Sequence, residues 1–490
     1  MKFPKTRWML ACFASLGLIL PWAQAQTPSR PLNVVLITAD DLGLQLGCYG
    51  DKHARTPRID RFAAEGARFT TAHVTQSSCS PSRSSLLTGW YPHESGQVGL
   101  ANRGYSIVGK TENLPALLQA KGYYTGIIGK LHVSPPEMFP FDYHKVAHAP
   151  TRTQFTFRKL VDEFLDQPRN RPFFLMLNFF DPHDPFEAQS EGLPENPVTP
   201  DDVAPWSFQA GIDSPEIRRR IAEYYSGIHR LDALMGIFLD KLEARGLSQN
   251  TMVLFISDNG PPFARAKAAD YNLSTHVPLL VQWPGVTQPG MVRAQLVSGV
   301  DVFATMLDAA GASFPERTVA KSIQPILRDE KASWRDTVLT TFTAHPANTF
   351  YPRRSVTDGK FRLIWNLLAP FDNPLDTIDS DLAPEFSKTP VFDHTLIREI
   401  FDRFDRPPVF ELYDVRSDPD CLKDLMGISE QEATYLRLKT DLEKWLRLTN
   451  DPLLPASGLQ TWTRLHRENN SGQWKDPSVQ RQLESVVSAN

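Results

Sequence analysis

Cys79-Ser80-Pro81-Ser82-Arg83 is a compact reactive cluster: a thiol, two hydroxyls flanking a proline, and a guanidinium. Ser84 to Gly89 reads as the first turns of a helix, whose dipole and free backbone N–H groups would face an anion held near Cys79. Arg83 adds a planar donor suited to two oxygens of a tetrahedral oxyanion. A buried structural cysteine is the plain alternative, but Cys79 has polar neighbours on both sides. Asp40-Asp41 and Asp258-Asn259 offer four hard oxygen donors, which suit Ca2+ or Mg2+ and not Zn2+. An aspartate at a strand end often only caps a turn; two such pairs at one sheet edge favour a shared cation. Lys130 and His132 stand close together, Asp181-Pro182-His183 offers a second imidazole, and Lys267 follows Asp258 after a short loop. Singly, lysines are usually solvated. As a set, these groups and Arg83 make a cationic bowl for a sulfate or phosphate, with histidine as acid or base.

The elements that must position these groups are legible as apolar runs. Asn33 to Thr38 reads as a buried strand ending at Asp40-Asp41, Tyr124 to Ile128 leads into Gly129-Lys130, and Phe173 to Phe179 ends at Asp181-Pro182-His183. Met252 to Ser257 ends at Asp258-Asn259-Gly260, and Val277 to Trp283 is a further strand closed by Pro284-Gly285. Alternation of such runs with amphipathic stretches predicts an α/β fold, a large and mainly parallel sheet sandwiched by helices. Four strands then empty polar, titratable residues onto one carboxyl edge, where open α/β sheets bind ligands. Pro215 to Arg245 is a long helix covering one face; His229 lies within it and reads as structural.

Beyond about residue 333 the pattern changes to short strand-like pieces, Thr337 to Thr341, Arg354 to Thr357, Phe361 to Asn366 and Glu411 to Tyr413, followed by a helix over Glu430 to Arg447. This predicts a smaller C-terminal α+β domain with an antiparallel sheet. Pro370 to Arg406 reads as an extended insertion, and the last 30 residues as polar and loosely ordered. The expected division is 1–25 leader, 26–333 catalytic domain and 334–490 C-terminal subdomain.

Lys2, Lys5 and Arg7, the apolar run Trp8 to Leu20 and Ala23-Gln24-Ala25 have the anatomy of a signal peptide cleaved near Ala25. The run falls short of the ~20 residues that span a bilayer, so an exported, periplasmic or secreted chain without a membrane span is expected. Cleavage leaves Cys48, Cys79 and Cys421, an odd number, so at least one thiol has a fate other than a disulfide within the chain. Cys48 and Cys421 are open to pairing. A formal charge of −4 among 490 residues excludes the basic footprint of a nucleic-acid binder, so an anionic substrate needs a local cluster of cations.

In this order the pieces resemble the sulfatase family of the alkaline-phosphatase superfamily. Cys79-Ser80-Pro81-Ser82-Arg83 with Leu87-Thr88-Gly89 is similar to its C-x-P-S-R…LTG signature, and Gly129-Lys130-Leu131-His132 to its G-K-x-H signature. The likeness continues to Glu411-Leu412-Tyr413-Asp414 and Asp418-Pro419. Within the family the sulfamidase branch, which acts on N-sulfoglucosamine of heparan sulfate, looks most similar over Ser78 to Gly89, Thr125 to Val133, Arg171 to His183, Ser257 to Phe263 and Tyr351 to Val356. Ala101-Asn102-Arg103 departs from a more histidine-rich stretch there, Lys267 replaces an arginine, and Ala188 to Ala204 diverges.

The resemblance implies that a formylglycine-generating enzyme oxidises Cys79 to formylglycine (3-oxoalanine), whose hydrate carries the attacking hydroxyl. Asp40, Asp41, Asp258 and Asn259, with residue 79, would hold Ca2+, or Mg2+ in its place. Arg83 and Lys130 would bind the hydrate, Lys267 the sulfate, and His183 would protonate the leaving oxygen or nitrogen. His132 would take the proton that expels sulfate. His93, Arg353 and Arg354 are candidates for sugar contact by position alone, and a homodimer is the assembly to test for. The alternatives are an O-sulfatase on another sulfated polysaccharide such as ulvan, a phosphoesterase of the same superfamily, which the cysteine and single metal set oppose, and a non-catalytic sugar-binding protein on an enzyme scaffold.

Overall fold

The computed structural model describes Met1 and residues 31–468, except 110, 148–150, 168–169, 314, 316–318 and 375–382. Met1 apart, the expected leader lies outside the described residues, as does 469–490. Fourteen strands are present among the described residues: β1 Asn33–Ala39, β2 Ala67–Phe69, β3 Ala72–His73, β4 Tyr124–Gly129, β5 Tyr143–Lys145, β6 Phe173–Asn178, β7 Thr251–Ser257, β8 Leu279–Gln282, β9 Met291–Arg293, β10 Val297–Ser298, β11 Val338–Phe342, β12 Arg353–Thr357, β13 Phe361–Asn366 and β14 Phe410–Asp414.

The large sheet has the order β5-β4-β6-β1-β7-β8-β2-β9. Its first five strands run parallel, while β8 is antiparallel to both β7 and β2. The central strands are nearly uninterrupted apolar runs because both faces are covered. Val35, Ile37 and Ala39 point toward the helices Gln154–Leu165 and Pro215–Ala244, whose Phe157, Val161, Ile221, Tyr224 and Leu231 share their core. Val34 and Leu36 point the other way, into a core with Leu86 and Leu87 of the helix Cys79–Thr88 and Phe303, Met306 and Leu307 of the helix Val300–Ala309. The register aligns Ala39 with Ser257 and Thr38 with Asn178, so the polar continuations of β1, β6 and β7 leave the sheet side by side.

The second sheet has the order β11-β12-β13-β14, antiparallel throughout. One face, with Leu339, Val356, Leu363 and Leu412, packs on Leu438, Leu442, Trp445 and Leu446 of the helix Glu432–Leu448. The other face, with Phe342, Ile364 and Tyr413, joins the core of the large sheet.

Two expectations need correction. Pro370 to Arg406 is not only extended: it contains the helix Leu396–Asp405, started by Thr395, whose side chain accepts from Arg398 N, and buried through Ile400, Phe401 and Phe404. That helix sits between proline- and aspartate-rich flanks, which mask its short apolar stripe. The C-terminal region likewise carries the helix Ala456–Glu468, with Trp462, Leu465 and His466 buried. Cys48 and Cys421 are free thiols and do not pair.

Candidate active site

Cys79 opens the helix Cys79–Thr88, and every residue of that helix is buried. Its N-cap, Ser78, makes no side-chain cap bond; its hydroxyl lies 2.9 Å from Nδ1 of His345 instead. Position N3 is Pro81, which has no N–H to cap. The Cys79 Sγ lies 3.6 Å from Asp40 Oδ1. Burial pushes the Cys79 thiol well above its ordinary value, with Asp40 and Asp258 adding to the effect against Lys130 and Lys267. As encoded, the residue is therefore a protonated thiol and a weak nucleophile.

Asp40 and Asp41 extend β1. Asp41 takes a left-handed conformation, φ 64°, which costs a non-glycine residue roughly 1 kcal/mol or more. The turn aims its N–H at Asp258 Oδ1, 3.0 Å away. Lys130 Nζ binds Asp40 Oδ2 at 2.6 Å and Lys267 Nζ binds Asp41 Oδ2 at 2.8 Å. Arg83 Nε binds Asp258 Oδ2 at 2.8 Å, and its Nη1 reaches Lys130 O and Thr38 Oγ1, both at 3.2 Å. Three buried carboxylates are thus matched by three buried cations. Although burial opposes it, the charges of Lys130, His183 and Arg83 hold Asp40 well below the usual carboxylate range. Burial, together with the negative charge of Asp40, pushes Asp258 up to about 6.

Gly129 permits this convergence. With φ 96°, a Cβ there would lie 2.0 Å from Asn178 O of the adjacent strand, so only glycine lets β4 end close enough to deliver Lys130.

Asp40, Asp41, Cys79 and His183 present ligand atoms within 4.8 Å of one another. Asn259 gives its Nδ2 to Asp41 Oδ1 at 2.7 Å, while its buried Oδ1 has no hydrogen-bond partner among the described residues. An orphaned amide oxygen beside clustered carboxylates is a poor structural solution and a good cation ligand. The donor set is therefore fit for a hard divalent ion.

His183 reaches the cluster with Nε2 3.7 Å from Asp41 Oδ2. His132, two residues after Lys130, is also in a left-handed conformation (φ 53°), its Nε2 3.1 Å from Asn102 Oδ1. Asn102 belongs to a turn tied to the Cys79 helix by Ala101 N donating to Ser80 Oγ at 2.9 Å.

His93 and Arg354 turn their side chains to a different carboxylate. Both are buried around Asp451: Arg354 pairs with its carboxylate, and His93 Nε2 meets Thr449 Oγ1 at 2.9 Å. Arg353 is buried against the rings of Tyr351 and Phe342, with Nη1 3.5 Å from Ala268 O. His229 holds its expected structural place, its Nε2 accepting from Arg55 N at 2.9 Å. The sequence places Asp181 at the strand end without a role and does not single out Arg152 and Arg230, both of which bind the Asp181 carboxylate. Nothing local marks the two arginines, which stand 78 positions apart in the sequence as 152 and 230.

Comparison with known proteins gives this geometry a context. The sequence profile of the sulfatase family matches residues 32–312, and that of the C-terminal region of N-sulphoglucosamine sulphohydrolase matches 266–374. Human N-sulphoglucosamine sulphohydrolase is 32% identical, over 91% of this chain and 95% of the relative. An ulvan-active sulfatase of Formosa agariphila is 25% identical, over 87% of this chain and 82% of the relative. A protein solved in complex with its substrate D-glucosamine-2-N,6-O-disulfate superposes with a TM-score of 0.65 at 19% identity, over 86% of this chain and 99% of that one, and so shares the fold. With a profile covering more than half its length and a relative matched almost end to end, the chain is an enzyme of the sulfatase family.

Proposed function

We propose that this sulfatase removes sulfate from N-sulfoglucosamine units of heparin or heparan sulfate. The observation that carries the reading is the match of residues 266–374 to the C-terminal region of N-sulphoglucosamine sulphohydrolase. That stretch runs from Lys267 at the cluster into the second sheet, taking in β11, β12 and β13. The near end-to-end likeness to the human enzyme supports it.

In this reading Cys79 is matured to formylglycine by a separate enzyme that recognises Cys79, Pro81 and Arg83, and the hydrate is the working form. Asp40, Asp41, Asp258 and Asn259, with residue 79, would hold a divalent cation, Ca2+ or Mg2+, which would supply positive charge favouring anionic oxygens at the site. Arg83 and Lys130 orient the hydrate, and Lys267 binds a sulfate oxygen. One hydroxyl, having lost its proton to solvent, attacks sulfur; the S–N bond breaks with its electron pair on nitrogen, and His183 gives that nitrogen a proton. His132 then takes the proton of the second hydroxyl, the C–O bond to the sulfate breaks, and the aldehyde returns. Water rehydrates it. A geminal diol thus sheds sulfate by breaking a carbon–oxygen bond with general-base help, where a serine or cysteine ester would need a second attack on sulfur.

Export after cleavage near Ala25 and a homodimeric assembly belong to the same reading. No helix of the described residues is long and apolar enough to cross a membrane.

A second reading, an O-sulfatase on another sulfated polysaccharide, is favoured by the ulvan-active relative and by the departures at Ala101-Asn102-Arg103 and Ala188 to Ala204. Sulfate release from N-sulfoglucosamine compared with 6-O- and 2-O-sulfated sugars decides between them. Release from the N-sulfated sugar is expected; cleavage of an O-sulfate with the N-sulfate untouched would install the second reading.

A further inference from the structure

The loop that presents His183 is gripped from below by two arginines on one carboxylate. Asp181 is wholly buried and accepts from Arg152 Nε at 2.8 Å, from Arg230 Nε at 2.7 Å and from Arg230 Nη2 at 2.6 Å. The remaining guanidinium groups donate to main-chain carbonyls of the same loop. Arg152 binds His183 O and, at 2.8 Å, Pro185 O, while Arg230 binds Glu187 O at 3.1 Å. The Arg152 guanidinium also lies 4.3 Å over the Phe180 ring, which packs against the His183 ring at 4.9 Å.

The two carbonyls that Arg152 holds bracket Asp184, and the Asp184 carbonyl is the partner of His183 Nδ1. A carbonyl oxygen only accepts, so Nδ1 keeps its hydrogen and the ring turns Nε2 toward the Asp41 side of the cluster. A chain of contacts therefore runs from the clamp, through Asp184 O, to the orientation of the imidazole. The loop is joined to the cluster at its other end by Asp40 N, which donates to Asp181 O at 3.3 Å. Two guanidiniums on one buried carboxylate exceed what holding a loop requires, since apolar packing stabilises as well as a buried ion pair. What the planar forks add is fixed geometry.

We propose that Arg152, Asp181 and Arg230 are positioning residues for the proton-donating His183, fixing the line along which its Nε2 proton reaches the departing atom. The inference rests on the reading of His183 as proton donor. In that step the S–O or S–N bond breaks with its electron pair on the leaving atom, which receives the Nε2 proton.

The test is a leaving-group series on the matured, full-length protein. Arg152→Lys keeps the charge but loses the fork. Turnover of a set of aryl sulfates, from 4-nitrophenyl to unsubstituted phenyl, is compared for wild type, Arg152→Lys and His183→Ala. Nitrophenolate leaves without protonation and phenolate does not, so both variants should lower the phenyl-to-nitrophenyl ratio by about tenfold or more. The ratio is taken on one preparation and is independent of the fraction folded. Should Arg152→Lys yield no folded protein, Arg230→Lys is read in the same way. A variant that slows every aryl sulfate equally, while His183→Ala remains selective, would overturn the positioning role. An unselective His183→Ala would instead remove the proton-donor reading on which it rests.

Discussion

His132 and His183 have different surroundings, and different tasks are proposed for them. His183 reaches the carboxylate cluster, whereas His132 contacts Asn102. If His132 acts only after sulfate has been transferred, His132→Ala should still react once and then stall. Mass spectrometry of the peptide spanning residue 79 checks this. In wild type the peptide should carry the aldehyde, lighter than the encoded cysteine; in His132→Ala after exposure to substrate it should carry a bound sulfate. Turnover should fall by about a hundredfold or more, the usual share of one general base. Full activity with an unmodified thiol would sink the formylglycine mechanism, and a sulfate-free His132→Ala peptide would remove its assigned role. At this scale the cluster was legible: Asp40, Asp41, Asp258, Asn259, Cys79, Arg83 and Lys130 each stand beside a recognisable apolar run or signature. Arg152 and Arg230 were not, because an arginine just before a helix or within one reads the same whether its partner is water or Asp181.

Among elements, the helix Glu432–Leu448 and the turn after it are fastened to β12 by a buried charge pair. Arg354 binds both oxygens of Asp451, and His93 brings the Tyr91–Ser95 segment to the same carboxylate. Despite burial, the charges of Arg354 and His93 hold Asp451 below its ordinary value. Asp451→Asn would leave the Arg354 guanidinium buried without a counter-charge, a loss of about 3–5 kcal/mol. Denaturant titration of the folded chain should register it, and a change within about 0.5 kcal/mol would show that the pair is dispensable. The same cluster accounts for the side chains of His93 and Arg354, which the sequence offers as candidates for sugar contact by position alone. A cation beside the expected site has no local feature that separates facing a sugar from facing an aspartate 97 positions downstream.

Over the whole molecule, the second sheet is separate from the first but is bonded to the segments that flank the site. Thr341 N donates to Thr75 O at 2.8 Å just ahead of the Cys79 helix, and the buried Arg362–Asp270 pair ties β13 to the loop after Lys267. The terminal helix docks back across the chain, His466 Nε2 lying 2.7 Å from the Tyr105 hydroxyl and its ring 3.8 Å from that of Phe350. Burial pushes His466 down to about 3. The folded value lies below the unfolded one near 6.5, so the unfolded chain binds the extra proton. The stability that neutral His466 contributes is complete above pH 6.5 and is lost as pH falls toward 3. Between pH 6 and 4, wild type should therefore lose about 1.4 kcal/mol per pH unit more than His466→Gln. Parallel slopes in denaturant titrations at pH 6, 5 and 4 would contradict the burial of a neutral ring.

The sequence alone determined the α/β class, the mainly parallel sheet, the antiparallel second sheet and the carboxyl edge at which the polar groups collect. All of these follow from runs of apolar residues and from what stands directly after them, which is local information. Only the tertiary structure decided which cations meet carboxylates within the cluster, which arginines grip the His183 loop, and which distant charges bury one another instead. Those outcomes depend on register and on helix docking, so that Ala39 beside Ser257 brings Asp40 near Asp258 across more than two hundred residues of chain. Cys79 was marked by its neighbours in sequence; its surroundings were made by strands that no short window of sequence contains.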